Sequence, residues 1–229
     1  MHVLDNVIWR ALTTRQTEFA EAVGRARRFL PEVTSLTAFS EPNTEGYASL
    51  AGLVGSGGTA AVFLDEPYRE REGWKAVGGA PLLEMVCENS GAAHANPARS
   101  LPQITELGPQ DSPEMVKLAA LTKPGPFGSR THELGTYLGI RSDGKLVAMA
   151  GERLKVPGYT EVSAVCTHPE HTGKGYAQVL MMELMRRIRS RGETPFLHVR
   201  EDNVRAVQIY ERLGFRGRML LQYVLLRRD

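Results

Sequence analysis

A chain of 229 residues, 42% of them hydrophobic, is long enough to bury a sizeable core as one large domain or two small ones. Its 28 basic residues against 26 acidic ones leave a formal net charge of +2, so no global field recruits nucleic acid or an anionic membrane, and any bound anion must be held locally. Cys87 and Cys166 are too few for a disulfide framework or a cysteine-rich metal site, and no apolar run approaches the roughly 20 residues that span a bilayer.

In chain order, the first residues, MHVLDNVIWR, lack the apolar run of a signal peptide, so a reducing, cytoplasmic setting is expected. Residues 13–29 (TTRQTEFAEAVGRARRF) and EGYASLAGLV are predicted as helices, followed by strands at TAAVFL and WKAVGGAPLLEMVCE. The letters GSGGTA fit a dinucleotide fingerprint, but that motif follows a strand and opens a helix. Here the order is reversed, and a helix-ending turn is predicted. Small and polar residues at 90–100 (SGAAHANPARS) predict a linker, dividing an α+β region at 1–100 from a domain at 101–229.

Beyond the linker, ITEL is a short strand, and DSPEMVKLAAL is a helix with Ser112 as its cap and Pro113 at its first position. A loop, TKPGPFGSRTHE, follows. LGTYLGIR and KLVAMAGERL flank Ser142-Asp143-Gly144, a hairpin signal, and YTEVSAVCT follows a Pro-Gly turn as a third, antiparallel strand. Leu180, Met181, Leu184, Met185 and Ile188 recur at helical spacing, with Arg186, Arg187, Arg189 and Arg191 opposite them. PFLHV is a strand. Residues 203–213 form a helix between an Asn203 cap and a Gly214 stop, and MLLQYVLL is the last strand. The fold class is α/β, with a mixed, mostly antiparallel sheet flanked by helices and a smaller α+β region before it.

Between the third strand and the long helix stands Gly173-Lys174-Gly175-Tyr176-Ala177. Bare backbone there lets a ligand approach the first-turn N–H groups, which have no intrahelical acceptor, and phosphate suits them. A tight turn is the plain alternative. The loop is not a P-loop, because Gly175 follows Lys174 where Ser or Thr is needed and no glycine stands five residues before the Gly-Lys pair.

Strand, THPEHTGKGYA, long helix, PFLHV and DNVRAVQIYERLGF in this order resemble the GCN5-related N-acetyltransferases, most nearly their FR47-like branch, over residues 104–229. The resemblance implies an acyltransferase using acetyl-CoA, without a metal. The family's Arg/Gln-x-x-Gly-x-Gly/Ala pattern, which holds the coenzyme A pyrophosphate, falls on Thr172, Gly175 and Ala177, with Gly173, Lys174 and Tyr176 between. Thr172 departs from it by lacking the long side chain, though its main-chain amide remains.

The resemblance further places the pantetheine arm beside Val165, Cys166 and Thr167, with Asn203 bonding to it and small Ala206 leaving it room. It implies Tyr210 as general acid and Glu161 as general base. Regular alternation puts Glu161, Ser163, Val165 and Thr167 on one strand face and turns the Cys166 side chain away from them. A solvated carboxylate is the other reading of Glu161, and a core tyrosine the other reading of Tyr210. Arg130, His132 and Glu133, in the family's variable loop, become candidate substrate contacts, while His168, His171 and His198 lack the paired spacing of metal ligands.

The expected reaction is direct acetyl transfer to a primary amine of a small molecule or amino acid. Protein or peptide N-termini and lysines are alternative acceptors, and a non-catalytic CoA-binding sensor is the alternative from another class. No nucleic-acid or membrane partner is expected. A homodimer is compatible with the sequence, and the first hundred residues stand open as a cover for the acceptor site or a degenerate copy of the same fold.

Overall fold

The computed structural model describes residues 2–88 and 102–229. The predicted linker at 90–100 lies outside the described residues. The elements run α1 (Val7–Thr13), β1 (Ala20–Val23), β2 (Ala26–Phe29), β3 (Thr37–Phe39), α2 (Thr44–Val54), β4 (Thr59–Leu64) and β5 (Trp74–Val86). After the linker come β6 (Ile104–Leu107), α3 (Ser112–Thr122), β7 (Tyr137–Ser142), β8 (Lys145–Val156), β9 (Tyr159–Thr167), α4 (Tyr176–Ser190), β10 (Thr194–Arg200), α5 (Val204–Arg212) and β11 (Arg216–Arg228).

Eight strands form one sheet in the order β4-β11-β5-β10-β9-β8-β7-β6. Only β9 and β10 pair in parallel, so the sheet is mixed and mostly antiparallel. Strand β5 lies between β10 and β11, and β4 flanks β11, so both halves of the chain build the same sheet. A second sheet, β1-β2-β3, adjoins it through a bridge between Leu36 and Ala61.

Helix α4 covers one face, burying Leu180, Met181, Leu184, Met185 and Ile188 at the predicted spacing, with α5 beside it. Helix α3 packs on the opposite face through Met115, Leu118 and Ala119, and α1 packs there through Ile8 and Leu12. Turn chemistry fixes the joints. Asp143 and Gly144 both take positive φ in the β7–β8 hairpin, Gly158 turns β8 into β9, and Gly214 ends α5. Gly55 closes α2 before β4, so GSGGTA is the helix-ending turn expected.

Two expectations are corrected. Residues 20–29 are not a helix but the hairpin β1–β2, turned at Gly24 with φ +48. Burying Ala26 and Phe29 on one strand and pairing Arg28 with Glu21 across the hairpin outweighs the modest helix propensity of the segment. Ser112 does not cap α3. Its hydroxyl donates to the Ser129 carbonyl at 2.5 Å, and Asp111 holds the N-cap position.

Candidate active site

Parallel pairing of β9 with β10 runs through three partners, Tyr159–Thr194, Thr160–Pro195 and Glu161–Phe196, and then stops. Past that point β9 continues for six residues and β10 for four, and the strands diverge. A cavity of about 940 Å³ opens at the divergence. Val165, Cys166 and Thr167 border it from β9, His198, Val199 and Arg200 from β10, and Asn203 and Tyr210 from α5. Loop residues 123–127 border it from α3, and Leu36, Phe63, Ala80, Leu82 and Tyr223 close the apolar end.

A bulge aims the diverging strand. Ala164 takes φ +52, and the β8–β9 register slips between Met149 and Gly151. Strand parity therefore inverts. Val162 packs with the α4 core, whereas Ala164 and Cys166 pack with α3, and Val165 returns to the α4 side. The regular alternation expected for this strand is corrected accordingly, and Cys166 borders the cavity rather than facing away from it. Burial pushes its thiol up to about 11, so the side chain stays a protonated thiol and a poor nucleophile.

Glu161 is not the exposed base expected from the sequence. It is fully buried and outside the cavity lining. Arg153 grips it with Nε and Nη2 at 2.8 and 2.7 Å, the Leu154 N–H donates at 3.2 Å, and His198 Nδ1 stands 2.7 Å away. Burial alone would raise its pKa, but Arg153 and His198 outweigh it and bring the carboxyl down to about 2. A carboxylate so stabilised has little affinity for an amine's proton. Its place is in a chain of charges crossing the sheet. His198 Nε2 lies 3.4 Å from Glu84 on β5, Glu84 accepts from Arg218 at 2.6 Å, and Arg218 reaches Asp5. Burial opposes charge on His198, yet its two carboxylate neighbours hold its pKa above the ordinary value.

Tyr210 borders the cavity, packs edge-on against Phe215 at 6.2 Å, and is pushed up to about 12 by burial. Its hydroxyl therefore stays protonated. Asn203 caps α5, accepting from the Ala206 N–H at 3.2 Å, and is exposed at the cavity rim. Gly173 and Gly175 take φ +77 and +82, with open space where a Cβ would stand. No side chain caps α4 and no acidic residue lies in its first turn, so its amides face outward unanswered. Residues 172–177 and Ala206 do not border the cavity, which ends at Thr167 on that side.

The candidate substrate contacts fall elsewhere. Arg130 is tied to Glu133 and Glu32, and neither it nor His132 or Glu133 lines the cavity. The arginines of α4 are likewise engaged: Arg186 and Arg187 with Glu183, Arg191 with Glu152. No cluster of metal-binding side chains occurs among the described residues, and no helix among them is long and apolar enough to cross a membrane.

Sequence reasoning does not find Arg153, His198 or Glu84 as cavity and seam residues. The available signal is a lone charged residue inside an apolar strand run, as in Leu83-Glu84-Met85 and Leu197-His198-Val199. Each such residue, once buried, demands a partner on the next strand.

A family model of FR47-like proteins matches residues 137–224, spanning β7 to β11. The N-alpha-acetyltransferase RimI of Mycobacterium tuberculosis (strain ATCC 25618 / H37Rv) is 35% identical over 99 residues, which cover 40% of this chain and 61% of that protein. A crystal structure from Novosphingobium aromaticivorans DSM 12444, described as an acetyltransferase of the GNAT family, is 37% identical and superposes with a TM-score of 0.89 over 100% of both chains. A GCN5-related N-acetyltransferase from Kribbella flavida, 16% identical, shares the fold with a TM-score of 0.64 over 98% of this chain and 96% of its own. With the full-length match at 37% identity, this chain belongs to the GCN5-related N-acetyltransferase superfamily, and its residues 137–224 match the FR47-like model.

Proposed function

We propose that the chain transfers an acetyl group from acetyl-CoA to a primary amine of a small molecule, amino acids included, by direct attack in a ternary complex. The observation that carries this reading is the end of the β9–β10 ladder at Glu161, which leaves main-chain groups of both strands free beside a cavity holding Tyr210. An extended pantetheine arm suits such an edge, because unpaired strand amides and carbonyls pair with it as a missing strand would. Val165, Cys166 and Thr167 supply one side, Asn203 reaches the arm from the rim, and Ala206 leaves space.

The turn before α4 supplies the diphosphate grip. Positive φ at Gly173 and Gly175 exposes consecutive amides at an uncapped helix start, so the turn and the phosphate site are the same structure. Lys174, near the Tyr176 ring at 5.9 Å, adds a cation, and the amides of Thr172 and Ala177 complete the cradle. Bound there, acetyl-CoA presents its thioester to the cavity. The free amine nitrogen forms a bond to the acetyl carbon, the carbon–sulfur bond breaks, Tyr210 gives its hydroxyl proton to the departing thiolate, and the proton lost from nitrogen passes to solvent, from which Tyr210 regains its own.

Among the described residues no carboxylate lines the cavity. Lys123 borders the cavity, together with Arg153 and Arg200, which are ion-paired to Glu161 and Asp202. Residues 1–100 serve as the acceptor-side wall, through Leu36, Phe63, Ala80 and Leu82.

Similarity to an N-alpha-acetyltransferase supports a second acceptor class, the amino terminus of a protein. The test is acetyl-CoA-dependent thiol release against free amines, amino acids and peptides, beside titration of CoA into wild type and Gly175→Val. The valine side chain should cost at least tenfold in CoA affinity in a folded protein, about 1.4 kcal/mol. Wild-type affinity in that variant overturns the phosphate role of the turn. CoA binding without turnover on any acceptor leaves the sensor reading.

A further inference from the structure

The cavity is charged in one sense only. Lys123, Arg153, His198 and Arg200 border it, and among the described residues no aspartate or glutamate does. Two of these cations are already answered: Arg200 by Asp202 at 2.6 and 3.0 Å, and His198 by Glu161 and Glu84. Arg153 is answered on one edge. Its Nε and Nη2 hold Glu161, while Nη1 has no hydrogen-bond or ion-pair partner among the described residues.

The side chain that carries this nitrogen is buried, and the nitrogen lies beside Gly125 in the cavity wall. Arg153 is 7% exposed, and Glu161 fixes the plane of its guanidinium. Across from Nη1 stands Gly125, where even a Cβ would come within 3.7 Å, so the roof opposite the nitrogen carries no side chain. Tyr137, 1% exposed, lies behind the guanidinium in a crevice too narrow for a water molecule, so the cavity side of Arg153 is the side a ligand can reach.

Building on the acetyl transfer proposed above, we infer that the acceptor is an aminocarboxylate whose carboxylate is held by Arg153 Nη1, which makes Arg153 the specificity-determining residue. A carboxylate accepts only and matches a guanidinium edge. The phosphates of the acetyl donor are not the anion in question, because the turn proposed to hold them does not border this cavity. Phe63, Leu82 and Tyr223 give the remainder of the molecule an apolar wall. A decarboxylated amine leaves Nη1 unanswered, so discrimination follows from the loss of that charge-assisted bond.

Matched pairs test this: leucine with isoamylamine, phenylalanine with phenethylamine, tryptophan with tryptamine, γ-aminobutyrate with propylamine. Thiol release gives kcat/KM for each, and titration of the corresponding N-acetyl products into CoA-saturated protein gives affinity without turnover. The carboxylate member of at least one pair should be favoured tenfold or more. Arg153→Lys retains the charge toward Glu161 but loses Nη1, and should raise KM for that member while bringing the ratio below threefold. An Arg153→Gln, Glu161→Gln double variant, neutral at both positions, should do the same if the lysine variant fails to fold. Equal use of both members, a preference that survives in the folded variants, or no carboxylate-dependent signal in either measurement overturns the inference. Failure of the acetyl-transfer reading itself is distinguished by loss of both CoA binding and all turnover.

Discussion

The two halves of β9 do opposite things. Over Tyr159, Thr160 and Glu161 the strand is zipped to β10, and its buried charge is answered from both neighbours: Arg153 on β8 and His198 on β10. Over residues 162–167 the same strand leaves β10, inverts its parity at Ala164 and lends its edge to a cavity. Where pairing is complete, the Glu161 side chain is fixed by its partners and has no chemistry to spare. Where it stops, main-chain groups and a protonated tyrosine are left for a ligand. The ionic seam from Arg153 to Asp5 therefore works as a latch that ends the ladder at a fixed residue, which fixes where the opening begins.

Removing the latch should have the largest effect. Glu161→Leu leaves Arg153 and His198 buried without their shared counter-ion, and the expected loss is about 3–5 kcal/mol in urea unfolding. The pH dependence gives an independent check. Glu161 has a folded pKa of about 2 against an ordinary 4.5, so its contribution is complete above pH 4.5 and is lost as pH falls toward 2. His198 is shifted the other way. Its contribution is full below 6.5 and is lost as pH rises through its elevated folded value. Glu161→Leu should flatten both limbs of the stability profile. A variant as stable as wild type, with the same profile, would show that the seam does not hold the strands.

The open half is tested by Tyr210→Phe, which keeps the ring against Phe215 and removes only the hydroxyl. Loss of a positioned proton donor should lower kcat by about 100-fold or more, with CoA affinity within twofold of wild type. Unchanged kcat under chemistry-limited conditions would take Tyr210 out of the reaction and leave it a packing residue.

The sequence made the open half more legible than the closed one. Gly173 and Gly175, the Asp143-Gly144 hairpin, the Asn203 cap and the Gly214 stop are local signals, because each residue type answers a backbone need within a few positions. Helix α4 is legible because its five buried residues repeat at one period. The seam is not local. Arg153, Glu161, His198, Glu84 and Arg218 come from five strands, and their pairing depends on β5 lying between β10 and β11, which no spacing announces. Residues 20–29 mislead for a related reason: their propensity is weak, and partners at Leu36 and beyond decide the outcome. Glu161 illustrates both. Its strand and register are readable, but its role follows from neighbours 8 and 37 residues away.

The smallest effect is expected at the joint between the halves. Ala164 adopts a left-handed backbone, which costs an L-residue roughly 1–2 kcal/mol, and its letter gives no warning of it, since glycine is the residue usually found there. Ala164→Gly relieves that strain. It also removes a methyl buried against α3, worth about 0.8 kcal/mol, and frees the unfolded chain by a further 0.5–1 kcal/mol. The opposing contributions nearly cancel, so the variant should unfold within about 1 kcal/mol of wild type and bind CoA unchanged, because the bulge remains. Ala164→Val should lose much more, since a β-branched side chain is poorly accommodated at positive φ. Equal stability for the valine and glycine variants would mean that the backbone here is not held left-handed, and the inversion of β9 would need another cause.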